Sequence, residues 1–151
     1  MAPFGASRAG LMSVAGDDIP DSVVDLALDD TTSFDADRGV EFEADEEWSQ
    51  MGFEIGANVV GTGDVVLRDE DAGEVISRES DWSAGDTVIL EGPITISTTY
   101  SIIAENLSQY DFRDNVSFPV ESSDGNLRVT AGNAGSGTVY VFEKLGNVGF
   151  D

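Results

Sequence analysis

Residues 94–105, ITISTTYSIIAE, decide the fold class. Ile94, Ile96, Thr98, Tyr100 and Ile102 fall on one side of a two-residue period, and Thr95, Ser97, Thr99 and Ser101 on the other. That is the pattern of a strand with one face in a core and one in water. The period continues in both directions. Val40, Phe42 and Ala44 alternate with acids in VEFEAD, and Met51, Phe53 and Ile55 share a face of MGFEIGANVV. VVLRDED and GEVISRES flank Asp71, Ala72 and Gly73 and are predicted to pair as a hairpin. TVILEG follows the Gly85-Asp86 turn. NVSFPVES groups Val116, Phe118 and Val120, with Pro119, which has no N–H for a ladder, arguing for a sheet edge or a bulge. NLRVTAG and TVYVFEKL complete the series. Short strands separated by Gly, Asp, Asn and Ser predict an all-β fold, an antiparallel β-sandwich of about eight to nine strands, jelly-roll-like or immunoglobulin-like. No helical period long enough for a βαβ crossover is present, so a parallel sheet is not expected.

The front of the chain reads differently. The expected organisation is an extended acidic N-terminal arm over 1–39 and a β-sandwich over 40–151. Within the arm, DDIPDSVVDLALDD suits a short helix capped by Asp21 or Ser22 and carrying Val23, Val24, Leu26 and Leu28. Pro20 and the flanking acids suit equally an extended segment laid along another surface. Residues 1–16 are small residues with scattered apolar ones, a composition that cannot bury itself. Docking on a partner would make Phe4, Leu11, Met12 and Ile19 the apolar anchors and Arg8 the cation that meets a partner's acid. Arg8 also interrupts the apolar run that a cleaved signal would need.

At 151 residues the chain has room for one compact domain plus such an arm. Thirty Asp and Glu against seven Lys and Arg give a formal charge of -23. Acidic surfaces repel themselves at ordinary ionic strength, where the Debye length is about 8–10 Å, and much less near 1 M salt, where it is about 3 Å. The same charge keeps a chain soluble where concentrated salt strengthens apolar association. The expected host is therefore an extreme halophile. Dilution from molar salt to about 0.1 M is expected to lower the melting temperature, a scan that tests the inference directly. An acidic disordered protein is disfavoured, because 40% of the residues are hydrophobic and 9% aromatic. Nucleic acid phosphates would be repelled, and no apolar run approaches the roughly 18 residues of a membrane span, so neither nucleic acid nor membrane is an expected partner.

Histidine and cysteine are absent, which removes thiolate and imidazole metal sites, disulfides and every triad with a His base. Carboxylates, tyrosines and the lone Lys144 remain. Thirty acids make a glycosidase-like carboxylate pair unavoidable by chance, so no enzyme is predicted and no catalytic residue is assigned. Asp69, Glu70, Asp71 and Glu74 cluster around Gly73, but the spacing departs from an EF-hand loop. Asp69, Asp71 and Glu74 are the candidate metal ligands, for loosely bound sodium, potassium or calcium, against the plainer reading of a solvated hairpin tip. No other cofactor is expected. Trp48 and Trp82 lie beside acids at strand ends, which favours a place at the rim of the core over a sugar-stacking platform.

FGASRAGLMSVAGDDIPDSVVD, Phe4 to Asp25, resembles an opening segment of virion-associated structural proteins of tailed viruses, those of halophilic archaea included. The match lies in the G-A-S-R-A-G element at Gly5 to Gly10 and the D-D-I-P-D-S element at Asp17 to Ser22. It implies a virion location and a capsid decoration, turret, accessory or minor capsid role. The arm would then dock on the major capsid protein or other virion proteins, with copies associating as trimers or pentamers. A small single-barrel major capsid protein and a tail or baseplate protein are the alternatives within that class. From another class, the rival is a secreted carbohydrate-binding or cell-surface module of a haloarchaeon.

Overall fold

Alternating branched or aromatic and short polar residues form strands in the computed structural model, which describes residues 22–133 and 136–147. One sheet has the order β1 (Val23–Asp25), β12 (Phe142–Gly146), β3 (Trp48–Ile55), β7 (Thr87–Ile94). The other runs β6 (Glu74–Glu79), β5 (Val65–Asp69), β8 (Tyr100–Arg113), β2 (Asp30–Ala44), β10 (Leu127–Gly132), β9 (Val120–Glu121). The two-residue strands β4 (Val60–Gly61) and β11 (Val139–Tyr140) also pair with β8. Every pairing is antiparallel.

Eight of these strands make a frame, β1-β12-β3-β7 facing β6-β5-β8-β2. The chain changes sheet between successive frame strands except at the β5–β6 hairpin, which is jelly-roll connectivity. An immunoglobulin order is excluded, since its first two strands share a sheet and β1 and β2 here do not. Among the described residues the strand total is twelve rather than eight or nine, because β1 was expected to belong to the arm, the two-residue β4 is too short to show a period, and TVYVFEKL divides into β11 and β12. Pro119 precedes β9, the sheet-edge strand, as its missing N–H requires.

The core lies between the sheets. Phe42 of β2 stacks on Tyr100 of β8 with ring centroids 5.6 Å apart and tilts against Phe53 of β3 at 5.9 Å; Phe53 meets Phe142 of β12 edge-on at 6.0 Å. All four rings are buried. Each is worth roughly 1.5–3 kcal/mol in transfer alone. Gly39 lets β2 and β8 close on one another, because a Cβ there would stand 1.8 Å from the Ile102 carbonyl oxygen.

Four expectations are corrected. The sandwich already includes residues ahead of residue 40: Val24 and Leu26 are fully buried, and β2 is paired with β8 from Asp30 onward. The short-helix alternative for 21–28 gives way to β1 and a bend with Ala27 at φ 51°, because Val24 and Leu26 already stand at strand spacing. ITISTTYSIIAE is two strands: β7 ends at Ile94, β8 starts at Tyr100, and Ser97 turns the chain at φ 62°. The Tyr100 hydroxyl accepts the Thr95 N–H at 2.8 Å, so the side chain that closes the core also closes this crossing. TVYVFEKL divides likewise, since Val141 at φ 74° passes the chain from β11 in one sheet to β12 in the other.

Candidate partner-binding surfaces

The predicted anchors Phe4, Arg8, Leu11, Met12 and Ile19 lie outside the described residues. At the first described residue the geometry is specific. Ser22 is buried, its hydroxyl donates to Asp124 Oδ2 at 2.6 Å, and its carbonyl accepts the Asn147 N–H at 3.2 Å. Asp124 Oδ1 also accepts from the Ser122 hydroxyl at 2.6 Å and the Asn126 N–H at 3.0 Å. Desolvation works against the Asp124 charge, but these donors outweigh it and hold its carboxyl below the ordinary aspartate value. Aspartate and serine are suited to the place because a short acceptor can gather several turn N–H and O–H groups at once. A polar cavity of about 450 Å³ opens beside this junction, lined by Ser22, Glu46, Ser123, Asp124, Asn126 and Asn147.

The candidate metal ligands build a turn instead of converging on one point. Asp69 Oδ1 accepts the Ala72 N–H at 2.9 Å, and Asp71 Oδ2 accepts the Thr99 N–H at 3.1 Å from the crossing loop. Glu74 is exposed at the start of β6. Neighbouring Glu70 accepts the Ser101 hydroxyl at 2.6 Å and stands 3.4 Å from Arg68. Among the described residues no group of three or more acidic side chains is arranged to hold a metal. Trp82 is half-buried and donates its indole N–H to the Gly63 carbonyl at 2.9 Å, and Trp48 packs partly buried on the core. Both tryptophans therefore sit at the core rim.

The far end of the β2–β8 ladder holds the features that sequence reasoning missed. Asp111 is buried, accepting from the Thr31 hydroxyl at 2.5 Å and from the Asn58 backbone and side-chain N–H groups at 3.1 Å each. With both oxygens taken by donors, it acts as a clamp joining β8, β2 and the Ala57–Asn58 turn. Glu143 stands in the same cleft and accepts the Leu28 N–H at 3.1 Å. Burial, then repulsion from Asp25, Glu54 and Asp111, keeps its carboxyl above the ordinary value despite that hydrogen bond. On the opposite face of β8, Tyr110 meets Tyr140 edge-on at 5.5 Å and Phe112 at 6.4 Å. The Arg38 guanidinium lies 5.3 Å from the Tyr140 ring centre, 5.7 Å from Tyr110 and 5.6 Å from Phe34. Arg68, Arg78 and Arg128 pair with carboxylates, whereas Arg38 is held by rings. The residues that meet here are distant in sequence and belong to three strands, so only alternation in YDFR and TVYV hinted at them.

No protein-family model matches the chain, and no curated protein matches it. A functional reading therefore rests on the fold, the charge and these surfaces.

Proposed function

We propose that the chain is a non-enzymatic structural protein of a halophilic archaeal virus particle, a capsid decoration, turret or minor capsid protein that docks on the shell through its N-terminal arm. One observation carries the reading: all eight frame strands of the jelly roll lie between Val23 and Gly146, so the sandwich needs none of residues 1–21 as a strand. Residues 1–21 are assigned in this reading to the partner's surface, and the Ser22 hydroxyl, bonded to Asp124, fixes the point at which the domain takes up the chain. Jelly rolls serve capsids and lectins alike, so the fold supports the reading by analogy only. The charge of -23 supports a particle assembled in molar salt, where contacts driven by apolar burial are strengthened.

The test compares the full chain with a version lacking residues 1–21, each mixed in molar potassium chloride with particles stripped of this protein, then sedimented. The full chain is expected to pellet with the particles and the truncated chain to stay in solution while keeping its melting transition. Equal pelleting of both would defeat arm docking, and binding of neither, with retention on immobilised cell-surface glycan, would favour the secreted surface module.

A further inference from the structure

The geometry points to a saccharide-binding site on the outer face of the β2–β8–β11 sheet, separate from the arm and independent of the docking reading. A cavity of about 170 Å³ opens there, lined by Thr32, Tyr110, Phe112, Asp114, Thr138 and Tyr140. The register accounts for its walls. Thr32 lies opposite Tyr110, and Phe112 opposite Tyr140, so the four side chains share the face of the sheet turned away from Asp111.

The chemistry of the walls selects the ligand. Rings that meet edge to face at 71° and 80° enclose a corner instead of stacking flat upon one another. Such a corner suits the C–H face of a sugar ring, which carries slight positive charge toward an aromatic face. The polar groups stand around it: Asp114 takes the Thr138 hydroxyl on Oδ1 at 2.7 Å and keeps a second carboxylate oxygen, and Thr32 and the tyrosines bring hydroxyls. An anion is disfavoured by Asp114 and by the net charge of -23. A ligand cation is disfavoured because Arg38 already occupies the cationic position over Tyr110 and Tyr140. What remains is a neutral ring bearing hydroxyl groups. The volume, well under the roughly 300–1,000 Å³ of sites for drug-sized molecules, fits a single sugar unit of a larger glycan. Ring contacts and neutral hydrogen bonds also keep their strength in molar salt, where ion pairs are screened.

The chain has three tyrosines, which makes the test clean. Full-length protein with ¹³C-labelled tyrosine rings, in molar potassium chloride, is titrated separately with D-glucose, D-galactose, D-mannose and N-acetyl-D-glucosamine. The expected result is a saturating shift of the half-buried Tyr140 signal with at least one sugar, and a smaller one at Tyr110, which is 5% exposed, while Tyr100, on the other side of the sheet, stays still and reports that the fold is intact. Tyr140→Ala should weaken that sugar by about tenfold, and Asp114→Asn, a change at an exposed loop position that supplies a second readout if the first variant unfolds, by several-fold. The inference is overturned if no sugar gives a saturating shift, if Tyr100 moves with the others, or if a folded variant binds as tightly as the parent. None of these results bears on whether residues 1–21 bind a particle.

Discussion

Along the β2–β8 ladder, the half in which Val40–Phe42 lie beside Tyr100–Ile102 faces the other sheet and is largely buried. The half in which Asp30–Ala36 lie beside Leu107–Phe112 is broken by register shifts on either side of Ala36 and leaves Thr31, Ser33, Phe34 and Asp35 exposed. The near half is held by apolar packing. The far half is held by a buried carboxylate on one face and by a guanidinium among rings on the other. One pair of strands thus supplies the fold at one end and a chemically varied surface at the other. Such division is expected where a rigid scaffold presents side chains for binding.

The sharpest way to break the contrast is at the near half. Phe42→Ala removes a ring that touches both Phe53 and Tyr100, and should cost about 3–5 kcal/mol in urea unfolding performed in molar salt. At the far half, Asp111→Ala strands the Thr31 hydroxyl and two Asn58 donors, with an expected loss of about 1–3 kcal/mol. A loss as large as that of Phe42→Ala would mean that the far half is part of the same cooperative core. Arg38→Met keeps much of the stem and deletes the cation over the rings, with an expected cost of about 0.5–2 kcal/mol in the same assay. Raising the salt should change that cost little, in contrast to a change at an exposed ion pair such as Arg78–Asp64.

The smallest effect concerns pH. Because burial and neighbouring charges raise the Glu143 carboxyl, the folded chain holds this proton more tightly than the unfolded chain does. Its charged form therefore lowers stability at neutral pH, and that penalty disappears as the pH falls through the folded value and then the unfolded one. Glu143→Gln is expected to raise the melting temperature slightly at pH 7 and to leave it unchanged in acid. Asp124 runs the other way: its lowered value contributes stability above the ordinary aspartate range that is lost as the pH falls through the folded value.

The class of the fold was legible because Val40, Phe42, Met51, Phe53 and Ile55 alternate without interruption. Periodicity is blind to direction, however, and that explains the misread segments. Ile94 and Tyr100 keep the same parity across an intervening loop of odd length, so ITISTTYSIIAE looks continuous although the chain reverses and changes sheet within it. Asp30–Asp37 resembled an arm because bulges spoil the period and few of its residues reach the core. The Tyr110–Tyr140–Arg38 cluster was hidden for another reason: its members are ordinary strand residues until β11 is laid beside β8, a long-range pairing that a local pattern does not encode.

The Ser22 junction has a mechanical consequence. Tension entering through residue 21 along the strand axis meets β1, whose three residues are zipped antiparallel to β12 in register from Val23–Gly146 to Asp25–Lys144. Such a pull loads those bonds together in shear rather than peeling them singly, and the Asp124 hydrogen bond to Ser22 resists the first slip. A pull arriving along that axis would be carried by the whole short ladder at once and would leave the core behind it intact.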